Sequence, residues 1–156
     1  ARGVKYADPS VKVTTAWTGS FKDAAMAKET AVSLINQKVD VTYMEANESN
    51  IGIIKASEEN KTFAIGYAMD QSKIGPNSVL TSTMIRFPIS YGWVIDAVKN
   101  GKFDGKSRKM GLREGVVLLA PFHNFDKKIT PAMRKKLAEV KAKLISGELM
   151  ALPKKK

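Results

Sequence analysis

The sequence has no cysteine. Disulfide bridges, thiolate nucleophiles and thiolate metal sites are excluded, while the compartment is left open. It has one histidine, His123, too few for an imidazole-rich metal centre. No apolar run approaches the roughly eighteen residues of a membrane-spanning helix, and no secretory leader pattern stands at the N-terminus. Catalytic signatures are also missing: there is no G-x-S-x-G, no Walker loop, no G-x-G-x-x-G and no H-E-x-x-H. Glu45, Glu48 and Asp70 could serve as acids or bases, but no activated nucleophile or metal cluster accompanies them. Neither a catalytic residue, a metal nor a cofactor is expected.

What is present describes one globular domain. The 156 residues are 44% hydrophobic and 26% charged, enough to bury a core. The net charge of +11 is unevenly spread. Residues 127 to 156 carry ten Lys/Arg against two Glu, a net of +8, which leaves +3 for the first 126 residues. Basicity therefore belongs to a C-terminal helix and tail, and any acidic partner would meet it there.

Strands and helices alternate along the chain. Ala1 to Ala7 reads as helix, ended by Asp8-Pro9, and a chain that opens inside a helix reads as part of something longer. Val11–Trp17 is β-branched and reads as strand. Phe21–Gln37 reads as helix, with Ser20 as a cap and Asp23 three residues later. Val39–Ala46, Lys61–Ala68 and Ser78–Ile85 read as strands, and Ser49–Asn60 as a short helix. Pro88–Asn100 is a helix with proline in its first turn and Gly101 just past its end. The stretch 101–115 is polar and glycine-rich, and Val116–Pro121 is a short apolar strand. The last helix has Thr130 as cap, Pro131 first and Gly147 beyond its end. Its apolar stripe is Met133, Leu137, Val140 and Leu144. The closing "PKKK" reads as a tail. This order predicts an α/β fold with a mostly parallel sheet flanked by helices.

In such sheets ligands bind beyond the carboxyl ends of the strands, which singles out four junctions. At 17–23, Trp17, Thr18, Ser20 and Phe21 suit a flat ring with polar edges; a core tryptophan beside a capping serine is the alternative. At 45–50, Glu45, Asn47, Glu48, Ser49 and Asn50 crowd a helix entry, where Asn and Ser also cap and carboxylates favour the positive helix end. At 68–72, Asp70 can accept hydrogen bonds from hydroxyls or ring N–H groups, or can simply make a turn. At 85–88, Arg86 could pair with Asp70 or a ligand oxygen, and Phe87 could stack on a ring; a surface Arg and a core Phe serve equally. His123 in "APFHNF" reads as structural or surface.

Four segments, "GVKYADPSVKVTTAWTGSFKD", "SEENKTFAIGYAMDQS", "VLTSTMIRF" and "GLREGVVLLAPF", together resemble the basic membrane protein family. These are the PnrA-like substrate-binding lipoproteins of bacterial ABC importers. The "GSF-x-D" turn, the "DQS" and "GL-[KR]-[ED]-G…LAPF" are the most specific parts, and the resemblance runs from about Gly3 to Gly147. It implies one lobe of a type I periplasmic-binding-protein fold. Residues 1–121 would be the second, C-terminal ligand-binding lobe without its first strand. Residues 122–156 would be a hinge-return segment with the basic helix and tail. The first lobe, signal peptide and lipid anchor would lie upstream, and the protein would work outside the cytoplasm, in the periplasm or at the cell surface.

The resemblance further implies a purine nucleoside or related solute held between lobes, and delivery to an ABC permease. Trp17, Tyr43 and Phe87 are then the candidate rings. Ser20, Glu45, Asn47, Ser49, Asp70 and Arg86 are the candidate polar contacts. Two departures touch this pocket. The family commonly reads "G-V-D-S-D-Q" where this chain has "GYAMDQ", so Ala68 stands at the position of the ribose-binding Asp. Its glycine-rich "AGGTGNG" corresponds to "ANESNIG". A lone lobe supplies half the contacts, so weak binding or none is expected of this chain alone. A stand-alone interaction protein using the basic helix is the alternative. The open edge left by a missing strand could pair two copies, and nucleic acid is not expected as a partner.

Overall fold

A computed structural model describes residues 1–150, so the "PKKK" tail lies outside the described residues. The chain divides into two compact units, one made of residues 1–17 with 130 onward, the other of residues 18–129.

The larger unit holds a sheet of four strands in the order of the chain: β1 (Val41–Tyr43), β2 (Phe63–Ala68), β3 (Val79–Ile85) and β4 (Val117–Leu119). β1, β2 and β3 run parallel, and β4 returns antiparallel to β3. Helix α2 (Ala24–Asn36) precedes β1, α3 (Asn50–Glu59) lies between β1 and β2, and α4 (Phe87–Lys99) links β3 to the turns before β4. A right-handed crossover through α3 is the ordinary way to make β1 and β2 parallel. The β2–β3 connection has no helix.

The core lies on one face of this sheet. Ala27 and Ala31 of α2, Ile53, Ile54 and Ala56 of α3, and Ala64 and Val79 of the strands form one buried cluster with Met44 and Ala46. The interface is tight because its side chains are small. Gly52 lies against the backbone carbonyl of Ala24, where any Cβ would overlap it, so only glycine lets α2 and α3 approach this closely. Two of the hydroxyls buried here are paired within the protein: Thr42 meets Ser57 at 3.3 Å and Ser78 donates to the Gly75 carbonyl at 3.3 Å. On the other face Phe63 packs edge to face on the buried Phe125, 5.6 Å between ring centres.

In the smaller unit, α1 (Arg2–Ala7) ends at Asp8, and α5 (Pro131–Ser146) has the expected ends. The Thr130 side chain accepts from the Met133 N–H, Pro131 sits in the first turn, and Gly147 closes the helix at φ +85°. Its stripe is not a core, however. Met133 and Leu137 are exposed, and no α5 residue is buried. Val11–Trp17, expected as a strand, is unpaired and exposed. β-branched residues favour extended backbone, but a strand exists only where a neighbour accepts its hydrogen bonds. No strand among the described residues pairs with this segment.

Candidate functional site

The carboxyl ends of β1, β2 and β3 carry most of the residues singled out above. At the first junction the chain makes a stitched turn. Ser20 Oγ accepts from the backbone N–H groups of Lys22 and Asp23, both at 3.1 Å, and Thr18 Oγ1 donates to the Ser20 carbonyl at 3.0 Å. Asp23, not Ser20, is the N-cap of α2, accepting from Met26 N–H at 2.9 Å. Ser49 is fully buried and ties the second junction to the first: its hydroxyl donates to the Ser20 carbonyl at 3.2 Å and its N–H to the Phe21 carbonyl at 3.2 Å. Ser20 and Ser49 thus shape the rim and have their hydroxyls engaged inside it. Trp17, in the smaller unit, is 89% exposed and is not a core residue.

At the second junction Asn47 opens a short 3₁₀ turn, Asn47–Ser49, in left-handed backbone, φ +52°. Its side chain and that of Glu48 are exposed. Asn50 is buried instead, and its Oδ1 accepts the Ala46 N–H at 2.9 Å, which closes the turn out of β1. Tyr43 is exposed and its ring meets Tyr67 edge to face at 6.5 Å.

At the third junction the "DQS" residues lock the loop to the sheet. Gln71 Oε1 accepts the Tyr67 N–H at 3.0 Å, and the Gln71 N–H donates to Ser82 Oγ at 3.1 Å. Gly66 leaves the room: a Cβ there would overlap Ser82 Oγ. Asp70 has both oxygens engaged within the protein. Oδ1 accepts the Ser72 N–H at 3.0 Å, and Oδ2 accepts from His123 Nε2 at 2.7 Å. Partial burial pushes the Asp70 carboxyl up, but the Ser72 and His123 hydrogen bonds outweigh it and hold the group below its ordinary value. His123 is therefore the partner of Asp70, a place considered above for Arg86. The pair spans 53 residues, and sequence spacing carries no signal for it.

At the fourth junction Arg86 stands at the N-cap of α4, and its N–H donates to the Val116 carbonyl at 2.7 Å. Phe87 is about half exposed and stacks on Tyr91 at 6.1 Å, 20° between planes. Neither of the two is core. Tyr67 is a rim residue that motif reasoning missed; only the pairing of β1 with β2 brings it to Tyr43, and the sequence carries no signal of that pairing. Among the described residues no group of three or more His, Cys, Asp or Glu could hold a metal.

The mostly parallel sheet flanked by helices is the fold seen in solved ABC transporter solute-binding proteins. The chain belongs to the Bmp family, described as ABC transporter substrate-binding protein PnrA-like, whose model matches residues 1–151. This is a family of binding proteins, not of enzymes. The transcriptional activator protein Med of Bacillus subtilis (strain 168) is 31% identical over 78% of this chain and 38% of its own length. A purine-binding protein of Brucella abortus (strain 2308) is 30% identical over 94% of this chain and 40% of its own. An ABC transporter solute-binding protein of Aeropyrum pernix K1 has the same fold, with a TM-score of 0.80 at 24% identity over 98% of this chain and 52% of that structure. The chain thus spans less than half the length of these two curated relatives and about half of the solved one.

Proposed function

We propose that this chain is one lobe of the solute-binding component of an ABC importer, and that the solute is a purine nucleoside or a related ring-bearing polar molecule held between this lobe and another. The observation that carries the reading is the gathering of Tyr43, Glu45 and Asn47, Tyr67 and Asp70, and Arg86 and Phe87 at the carboxyl ends of three successive parallel strands. Exposed rings offer faces for stacking on a base, Glu45 and Asn47 offer hydrogen bonds to its polar edges, and Arg86 offers a cation. Ser20, Ser49 and Asp70 contribute by holding the rim, through the bonds described above. Delivery to a permease, a lipid anchor, and a location in the periplasm or on the cell surface belong to the same proposal. No helix of the described residues is long and apolar enough to cross a membrane.

Ala68 sharpens the reading. It is the last residue of β2 and adopts left-handed backbone, φ +69°. Aspartate and asparagine tolerate that conformation better than alanine, which suits the resemblance that puts Asp at this place. Ala68→Asp is expected to leave the melting temperature unchanged or raised. It should tighten adenosine binding about tenfold, the worth of one hydrogen bond to a carboxylate. Amide chemical shifts of the isotope-labelled chain, followed against millimolar adenosine and against ribose, measure this. Equal responses to ribose and adenosine would refute a ring-binding site.

One observation favours a second reading. In α5, Lys135, Lys136 and Lys141 are exposed on a helix with no buried residue, and one relative carries the name of a transcriptional activator. A basic surface for an acidic macromolecule would show as retention on heparin that falls with salt and with charge reversal at these three lysines.

A further inference from the structure

The loop after β2 and the segment after β4 are keyed to the same place on β3. Ala120 follows β4 directly; its N–H donates to the Ser82 carbonyl at 2.8 Å, and its carbonyl accepts from the buried Thr81 Oγ1 at 2.8 Å. Ser82 Oγ accepts the Gln71 N–H from the β2 loop. Beyond Ala120 comes the short 3₁₀ helix His123–Lys128. Phe125 anchors it, buried against Phe63, and Asn124 Nδ2 donates to the Pro76 carbonyl at 3.1 Å. The His123 imidazole is thus brought to Asp70 by a segment held at Ala120, Asn124 and Phe125.

Both ends of this contact leave ordinary backbone. Ala68 lies at φ +69° and His123 at φ +47°, a region such residues occupy at a cost. Backbone of that kind persists where surrounding contacts hold it, and the 2.7 Å bond between His123 Nε2 and Asp70 Oδ2 joins the two segments. An ionised carboxylate only accepts, so Nε2 carries the proton. Asp70 Oδ1 meanwhile takes the Ser72 N–H of its own loop. Both side chains are about a third or more exposed, within reach of a molecule at the rim. Resting on the solute-binding reading above, we propose that His123 is a positioning residue for the solute: through Asp70 it holds the 68–72 loop in the form that meets the solute, and it ties that form to the segment that follows β4. A solute that presses on the loop is then felt at residue 123. The resemblance that opened the functional reading assigns His123 no role.

His123 is the one histidine of the chain, so its ring signals in a nitrogen-15 spectrum identify themselves. Two variants of the full chain separate positioning from packing. His123→Ala removes the donor, whereas His123→Gln keeps an N–H at the end of a side chain of similar reach. Both leave a Cβ in the same left-handed backbone, so that cost is common to them. Without solute, the Gln71 and Ser72 amides of His123→Ala should exchange with solvent about tenfold faster than in the wild type, with exchange in α3 unchanged, and His123→Gln should restore most of the protection. With millimolar adenosine, the wild-type ring signals and the loop amides should shift together. His123→Ala should weaken that response severalfold, and His123→Gln should recover it. Loop exchange and adenosine binding both unaltered in His123→Ala would overturn the proposal and leave the solute-binding reading standing. Ring signals that stay still while the amides of Tyr43 and Arg86 shift would overturn the coupling to solute. A wild type with no response to adenosine would overturn the coupling in this lobe; the two-lobe reading, which expects one lobe to bind weakly, survives that outcome.

Discussion

Helices α3 and α4 belong to the same unit and reverse the usual relation between composition and burial. α3 reads NIGIIKASEE, with three charged and two further polar residues, yet Asn50, Gly52, Ile53, Ile54, Ala56 and Ser57 are all buried. α4 reads FPISYGWVIDAVK, far more apolar, yet only Ala97 is buried. Phe87, Tyr91, Ile95 and Val98 recur at helical spacing along an exposed stripe of α4. The difference lies in the partners. α3 is clamped between α2 and the sheet by small residues at Gly52, Ala27 and Ala64. Among the described residues α4 meets no such surface along its outer stripe. Apolarity in a helix states a demand for cover; a facing element of the right shape decides whether it is met.

The contrast can be broken or sharpened by substitution. Ile54→Ala in α3 should cost about 3 kcal/mol and lower the melting temperature markedly, because Ile54 is fully buried and its neighbours cannot collapse around the void. A loss under about 1 kcal/mol in chemical denaturation would mean that α3 is less tightly clamped than it looks.

A smaller effect is expected between the two extremes, at the Asp70–His123 pair. The folded Asp70 carboxyl titrates below its unfolded value. Its contribution is present above the unfolded value near pH 4 and is lost as pH falls through the lower folded value. Asp70→Asn should therefore flatten the acid limb of the stability curve below about pH 4. Both side chains are about a third or more exposed, so solvent screening keeps the effect modest. An acid limb identical in Asp70→Asn and wild type would remove the pair from the account.

The smallest effect belongs to Val98→Ala in α4, within about 0.5 kcal/mol of wild type, since Val98 is 57% exposed. A loss comparable to that of Ile54→Ala would show that α4 is covered in solution.

Much of the fold was legible. Each of the helices and the three parallel strands was expected within a few residues of where it lies, and α5 has the expected cap, first proline and closing glycine. These signals are local: a hydroxyl bonding an N–H three residues on, a ring that fixes φ, a residue without Cβ. The rim was legible in part. Glu45, Asn47, Arg86 and Phe87 lie just beyond strand ends, where the alternation of strands and helices had put them. Three other features escaped. Tyr67 looked like an ordinary strand residue until the β1–β2 pairing put it beside Tyr43. His123 gave no hint of Asp70, because their contact closes a long loop. Val11–Trp17 had the composition of a strand and lacked a partner.

The amino-acid sequence alone determined where helices start and stop, the parallel βα order, the basic C-terminal end and the family. All of these follow from interactions within a few residues, or from the pattern of the chain as a whole. Tertiary structure decided which apolar face is covered, which extended segment becomes a strand, and which carboxylate meets which donor. Each of those depends on groups brought together across tens of residues, and no local propensity encodes the partner.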